Sequence, residues 1–262
     1  MFQNYFKHLL SDDNTNKKIR HHKWWIGLFF SVWVLTGYYL SQLIMVIFIL
    51  FLKFVGFSED SLNEDIFVFV INVSLYILTI IVVTFIPWLV VKSKTTKLDI
   101  GLTRLPFWGD IIIAPAGMIF YFILSAALLV VVSQIFPQFD IKQIQVTGFE
   151  HLSSQYQYIL AFILLVVVAP ISEEILFRGY LFGKLKKFVP VWVAILFTSI
   201  LFGVAHGAWN LAIDTFALSI ILCLLRESSG SIWASILLHM IKNGIAFYLL
   251  FISPLILATL VG

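Results

Sequence analysis

Two adjacent glutamates followed by an arginine lie inside a strongly apolar part of the chain. Glu173 and Glu174 precede Arg178 in the run Pro-Ile-Ser-Glu-Glu-Ile-Leu-Phe-Arg-Gly. On a helix, Glu174 and Arg178 are four residues apart on one face and can pair, whereas Glu173 points to another face. Because burial disfavours the charged form of a carboxyl group, an unpaired Glu173 would be suited to general-base chemistry. The alternative interpretation is a routine ion pair at a cytoplasmic helix end.

Two further polar clusters follow, each on a predicted apolar helix. Phe202 and His206 are four residues apart, as are His239 and Asn243, so each pair shares one helix face. Histidine takes up and releases protons near neutral pH, and its ring nitrogens also bind metals. Taken alone, either histidine could equally be a hydrogen-bonding residue within a helix bundle.

Spacing along the chain places two of these groups at a similar depth. With a turn near residues 188–189, Glu173 lies about 15 residues before the turn and His206 about 17 residues after it. At about 1.5 Å per residue, their depths differ by roughly 3 Å. Counted from a turn at residues 227–230, His239 is expected roughly 10 Å shallower than His206. Tilted or re-entrant helices would have to absorb that difference.

The composition requires a membrane. Hydrophobic residues make up 61% of the 262 residues, and charged residues only 12%, against about 25% in a soluble domain. A chain of this size cannot bury so much apolar surface, so most of it must face lipid. The net charge of +3 is small and dispersed, which argues against a nucleic-acid partner. The single cysteine leaves no disulfide framework and no cysteine-based zinc site.

Seven apolar runs follow one another, and a membrane-spanning helix needs about 20 residues. They cover residues 24–54, 66–91, 109–136, 156–177, 191–206, 210–225 and 231–262. The last run contains Pro254 and is either one tilted helix or a span with a terminal helix. The predicted fold is therefore all-α, a polytopic membrane protein with seven or eight transmembrane helices.

Basic residues determine the expected orientation. The N-terminal tail and the connections around residues 92–104 and 184–187 are basic, whereas the alternate connections are not. The protein is thus expected in the cell membrane as a multi-pass protein with a cytoplasmic N-terminus. Residues 1–23 are expected to form a cytoplasmic tail with an interfacial helix, residues 24–155 the N-terminal helices, and residues 156–262 a core with nearly all the ionisable chemistry.

Other polar residues in the apolar runs are assigned structural roles. Asp214 is expected to cap a helix near an outer turn, and Asn72 to join neighbouring helices. Lys242 is expected to reach the membrane surface or bind a partner. Cys223 is expected to be a small buried hydrophobic residue. The glycine spacing at residues 179–183 predicts close packing between helices.

Together the three polar clusters resemble the CPBP (Abi) family of intramembrane proteases. This family includes type II CAAX prenyl endopeptidases and bacteriocin-processing or immunity proteins. Its pattern is Glu-Glu-xxx-Arg, then Phe-xxx-His, then His-xxx-Asn or Asp. The matching residues here are Glu173, Glu174 and Arg178, then Phe202 and His206, then His239 and Asn243. The resemblance covers residues 156–262, and residues 97–102 resemble the connector often found upstream.

The resemblance implies a role for each motif residue. Glu173 would activate water with His206 assisting as acid or base, while His239 and Asn243 would stabilise the oxyanion. The second glutamate and the arginine of the first motif would hold the helix end and orient Glu173. The family is commonly described as metalloproteases, so Glu173, His206 and His239 are candidate ligands for a divalent metal such as zinc. General-base catalysis without metal is the alternative.

Three functions fit this pattern. The first is an intramembrane endopeptidase acting on a membrane-associated peptide or protein, as in CAAX-type processing, bacteriocin or pheromone-precursor processing, or self-immunity. The second is a non-catalytic membrane scaffold or immunity protein that uses the same polar cavity. The third is a proton-coupled transporter, but the sequence has no internal repeat and no paired broken helices to support it.

Overall fold

The computed structural model describes residues 24–56, 63–136, 149 and 152–253. In these ranges the regular structure is entirely helical. The helices are α1 Trp24–Phe54, α2 Glu64–Val91, α3 Lys97–Ile100, α4 Trp108–Ile135, α5 Gln155–Leu185, α6 Val191–Ala205, α7 Trp209–Ser229 and α8 Trp233–Ile252. The tail with its expected interfacial helix, and the part of the last apolar run that contains Pro254, lie outside the described residues.

The surface of the helices is suited to lipid. Among the described helices, α1, α2, α4, α5 and α8 are long and apolar enough to cross a membrane, and α6 is apolar but shorter. Large apolar side chains such as Phe51 and Phe120 are more than half exposed. Such a surface is stable only where apolar chains replace water around it. The prediction of an all-α polytopic membrane protein is confirmed. Each of the seven predicted apolar runs overlaps one described helix, but α7, in the run 210–225, is not among the described helices that are apolar enough to cross a membrane.

Helix α5 continues eight residues beyond the predicted run 156–177. Arg178 and Lys184 look in the sequence like the edge of the membrane, yet their side chains are 0% and 2% exposed. Arg178 pairs with Glu174, and Lys184 donates a hydrogen bond to the carbonyl oxygen of Lys94 at 2.8 Å. Because each charge has a partner inside the bundle, the helix does not need to end at either of them.

Two π-helical segments interrupt α5, at Ile163–Val168 and Ile175–Leu181. The short α-helical stretch between them, Ala169–Glu174, carries both glutamates of the first motif. π-Helical segments are rare in proteins, and those that occur are often found at functional sites. The two adjacent carboxylates therefore lie in a helix whose regular repeat is changed on both sides.

Helix α3 packs against α5 where the chain has two glycines. A Cβ atom on Gly183 would collide with the carbonyl oxygen of Asp99, and one on Gly179 would lie 2.8 Å from the side chain of Ile100. The close packing predicted from the glycine spacing is thus confirmed. This packing brings the connector of residues 97–102 against the C-terminal half of α5.

Asp99 fastens this connector electrostatically. Its carboxylate accepts hydrogen bonds from Lys187 Nζ at 2.5 Å and from the backbone amide of Thr96 at 3.0 Å, and Lys184 Nζ lies 3.4 Å away. Burial alone would raise the pKa of Asp99, but these hydrogen bonds and lysine charges outweigh it and lower the pKa below its usual value. The ionised form of Asp99 therefore stabilises the folded state.

This arrangement predicts a pH-dependent stability. A depressed pKa in the folded state contributes stability above the unfolded-state pKa, and the contribution is lost as the pH falls through the folded-state pKa. We expect the wild type to melt at a higher temperature than Asp99→Asn at pH 7, with a difference that shrinks once the pH falls below the ordinary aspartate value of 3.8. Thermal unfolding in detergent across a pH series measures this. A difference that stays constant from pH 7 to strongly acidic pH would contradict it.

Candidate active site

The first glutamate motif opens onto a cavity of about 250 Å³ between α1, α2, α5 and α6. Glu173 lines this cavity together with His206 of the second motif. The side chain of Glu173 is 20% exposed, whereas that of Glu174 is 0% exposed. The two neighbouring carboxylates therefore have different surroundings, and the one that faces the cavity is not the one that pairs with Arg178.

Glu174 is the centre of a buried network. Its Oε1 lies 2.9 Å from Arg178 Nη1, the ion pair that the sequence predicts, although its geometry is not that of an aligned hydrogen bond. The same oxygen forms a 2.8 Å hydrogen bond with His239 Nδ1. An ionised carboxylate can only accept, so His239 Nδ1 carries the hydrogen and Nε2 of the neutral ring keeps its lone pair. Glu174 thus fixes both the position and the tautomer of His239.

His239 also approaches Glu173, with its Nε2 atom 3.8 Å from Glu173 Oε2. The expectation that His239 lies roughly 10 Å too shallow is therefore wrong. That expectation assumed that the turn before α8 lies at the same depth in the membrane as the turn before α6.

The connector of residues 97–102 explains how deep in the bundle His239 lies. The backbone amide of Ile232 donates to the carbonyl oxygen of Gly101 at 3.3 Å, and the neighbouring Ile100 packs on Gly179. Helix α8 therefore starts beside Gly179, well inside the bundle. From that level Glu174 is about 8 Å along α5, and His239 is about 10 Å along α8.

His206 follows the last residue of α6, and its ring orientation is also fixed. Its Nδ1 atom lies 2.7 Å from the carbonyl oxygen of Phe202. A carbonyl only accepts, so Nδ1 donates and Nε2 of the neutral ring keeps a lone pair. The buried Phe202 ring contacts both histidines edge to face, with centroid distances of 4.7 Å to His206 and 5.9 Å to His239. The guanidinium carbon of Arg178 lies 4.2 Å from the centre of the Phe202 ring. One aromatic ring therefore spaces three of the motif side chains.

Asn243 is placed elsewhere. Its Nδ2 atom donates a 2.9 Å hydrogen bond to the carbonyl oxygen of Leu165, within the first π-helical segment, and it is not among the residues that line the cavity. The structure thus brings five predicted site residues together and attaches the sixth to the scaffold. The expected contribution of Asn243 to an oxyanion site stays a prediction.

The residues do not form a ready metal site. Both histidines keep a lone pair on Nε2 while Nδ1 is hydrogen bonded, as histidines that bind metals do. Among the residues described, however, no three His, Cys, Asp or Glu side chains are grouped closely enough to hold a metal ion. The assignment of Glu173, His206 and His239 as ligands of a divalent metal therefore stays a prediction.

The wall that faces Glu173 comes from helices that the motifs do not include. Tyr38 of α1 and Asn72 and Tyr76 of α2 line the cavity. Sequence reasoning missed these residues. The one available signal was that Asn72 and Tyr76 are polar and four residues apart, and so share a helix face.

A second polar cluster lies outside this cavity. Asp214 Oδ1 accepts hydrogen bonds from Tyr121 at 2.6 Å and from Ser125 at 2.9 Å, and Oδ2 lies 3.3 Å from Lys242 Nζ. Asp214 therefore joins α4, α7 and α8. The expected capping role is wrong, because the residue lies a full turn inside α7 and finds its partners on other helices.

Comparison with known proteins points to the same part of the chain. A family model described as "Type II CAAX prenyl endopeptidase Rce1-like" matches residues 155–245. The chain is 30% identical over 135 residues to the UPF0177 protein YxdF of Lactococcus lactis subsp. lactis (strain IL1403), which covers 51% of this chain and 69% of that protein. No solved protein structure matches the chain.

A second relative carries a name related to proteolysis. The chain is 31% identical over 77 residues to the "Putative membrane peptidase YdiL" of Bacillus subtilis (strain 168), which covers 29% of this chain and 32% of that protein. The matched family segment runs from the start of α5 into α8 and contains all three polar motifs. The chain belongs to the CPBP family of membrane proteases, the relatives of type II CAAX prenyl endopeptidases.

Proposed function

We propose that the protein is an intramembrane endopeptidase in which Glu173 activates a water molecule to hydrolyse a peptide bond. The observation that supports this most is the placement of Glu173. It faces a cavity that His206 also lines, it lies 3.8 Å from His239, and Arg178 pairs with its neighbour rather than with it. A carboxylate that faces a cavity and is not paired with arginine is suited to accept a proton from water.

The reaction moves protons between few groups. Water beside Glu173 gives one proton to the carboxylate while its oxygen bonds to the peptide carbonyl carbon. The carbon–nitrogen bond of the tetrahedral intermediate then breaks, and the leaving amine takes the proton from Glu173, directly or through the free Nε2 of His206. Glu173 returns to its ionised state after each cycle.

His239 is proposed to stabilise the oxyanion. Its Nδ1 hydrogen is used by Glu174, so only the doubly protonated ring has an Nε2 hydrogen to donate to the developing negative charge. For Asn243 we propose a positioning role in addition to the predicted one, because its bond to Leu165 ties α8 to α5 beside the motif.

The proposed substrate is a membrane-associated peptide or protein. Candidates are a CAAX-type tail and the precursor of a bacteriocin or pheromone. A role in self-immunity would use the same reaction. The proposed orientation keeps the N-terminus in the cytoplasm, on the grounds of the basic tail and connections.

Reconstitution tests this function. The full chain in lipid vesicles is incubated with a library of peptides from membrane proteins, and new peptide termini are identified by mass spectrometry. We expect the wild type to create new termini and His206→Gln to create them about 10²-fold more slowly, since glutamine cannot relay a proton. His151→Gln, the same change outside the motifs, is the matched control. A scaffold would create no new termini, and an unchanged rate in His206→Gln would contradict the proposed relay.

A further inference from the structure

The cavity has two halves of different origin. The half from α5 and α6 carries Glu173 and His206 and belongs to the segment that the family model matches. The opposite half, which we name the α1–α2 wall, lies outside that segment. The α1–α2 wall includes Leu35, Tyr38, Asn72, Leu75, Tyr76 and Thr79. The residues that would face a substrate across the cavity from Glu173 are thus supplied by the N-terminal helices, outside the matched segment.

The α1–α2 wall is electrically neutral. Thr79 Oγ1 donates to the carbonyl oxygen of Leu75, and Asn72 Nδ2 donates to that of Val68, both at 2.8 Å, so these polar groups are largely satisfied within α2. Leu35 and Leu75 offer aliphatic surface, and Tyr38 and Tyr76 offer aromatic rings with uncharged hydroxyl groups. Among the described residues that line the cavity, Glu173 is the only lysine, arginine, aspartate or glutamate.

We propose that the α1–α2 wall is the subsite for the substrate side chain next to the scissile bond, and that it accepts one neutral apolar or aromatic side chain and excludes charged ones. This inference rests on the proposed function. An acidic side chain would be repelled by Glu173 in a medium of low dielectric constant. A basic one would pair with Glu173 and occupy the base that must receive the proton from water. Either would also lose its hydration on entry.

The size of the cavity limits the occupant further. Its volume of about 250 Å³ is below the roughly 300–1,000 Å³ of pockets that hold drug-sized molecules. One large side chain and the attacking water molecule account for that space. Tyr38 and Tyr76 face it from different helices, so the size of these side chains sets how large the substrate side chain can be.

Two neighbouring tyrosines provide a matched comparison. Tyr38 lines the cavity, whereas the next residue, Tyr39, is 63% exposed and does not. Tyr38→Ala enlarges the subsite, and we expect it to shift the preference toward tryptophan or phenylalanine over valine or alanine by about tenfold, the discrimination that small changes in an apolar pocket produce. Tyr39→Ala removes the same group from the outer face and should leave the preference unchanged. Leu75→Phe narrows the subsite and should shift the preference toward small side chains.

The experiment uses the full chain in lipid nanodiscs and a proteome-derived peptide library, with cleavage sites read by mass spectrometry. For the wild type we expect apolar and aromatic residues on one side of the cut, with Asp, Glu, Lys and Arg depleted there by about tenfold or more. Charged residues accepted at that position, or preferences that neither Tyr38→Ala nor Leu75→Phe changes, would overturn the inference while cleavage itself continued. If the wild type cleaved no peptide, the proposed function would fail and the subsite assignment with it.

Discussion

Glu173→Gln is expected to slow peptide cleavage by about 10²–10⁴-fold, the usual loss when a general base is removed. Glutamine has nearly the same shape as glutamate, so it leaves the cavity and the neighbouring buried network in place. It cannot accept a proton at neutral pH, so the water molecule is no longer activated. The measurement is the rate of product formation by the purified protein in lipid, under conditions in which enzyme exceeds substrate.

Glu227→Gln is the matched control for this prediction. It makes the same chemical change at a partly exposed carboxylate that pairs with Lys186, away from the cavity. We expect it to cleave at the wild-type rate, and both variants to show wild-type yield and unfolding behaviour. A Glu173→Gln variant as active as Glu227→Gln would remove Glu173 from the mechanism.

Arg178→Met is expected to destabilise the fold by about 3–5 kcal/mol, the cost of removing one partner of a buried ion pair. Arg178 and Glu174 are both 0% exposed, so methionine leaves the carboxylate buried beside only His239. The cost arises from the uncompensated charge more than from lost attraction. The measurement is the free energy of unfolding in mixed micelles.

The chain also offers a matched surface pair. Lys186 lies 2.5 Å from Glu227, with side chains 27% and 37% exposed, so Lys186→Met should cost less than about 1 kcal/mol. The double variant Glu174→Gln with Arg178→Met removes both charges, and we expect it to recover most of the stability lost in Arg178→Met. Equal losses for Arg178→Met and Lys186→Met would show that the buried pair does not matter in the way proposed.

Features that depend on short stretches of sequence were predictable. The apolar run of residues 24–54 coincides with α1, because a long apolar segment bounded by polar residues has one stable structure in lipid. The pairing of Glu174 with Arg178 follows from helix geometry alone. The same holds for the glycines that let α3 approach α5, and for Cys223, which is fully buried.

Features that depend on contacts between distant helices were not predictable. The level of His239 is set by the connector that holds the start of α8, through the bond between Ile232 and Gly101. The ion pair of Asp214 with Lys242 requires α7 and α8 to be adjacent. Asn72, expected to join helices, donates to Val68 of its own helix and lines the cavity. His239 and Asp214 were visible in the sequence as polar residues, but their partners were defined only by the tertiary structure.

The most direct test of the central claim is cleavage in water enriched in oxygen-18. If Glu173 activates water at this cavity, the wild type should place one labelled oxygen atom in each new carboxyl terminus, and Glu173→Gln should form labelled product at no more than about a hundredth of that rate. Labelled product from Glu173→Gln at the wild-type rate, or cleavage by the wild type without label, would contradict the account.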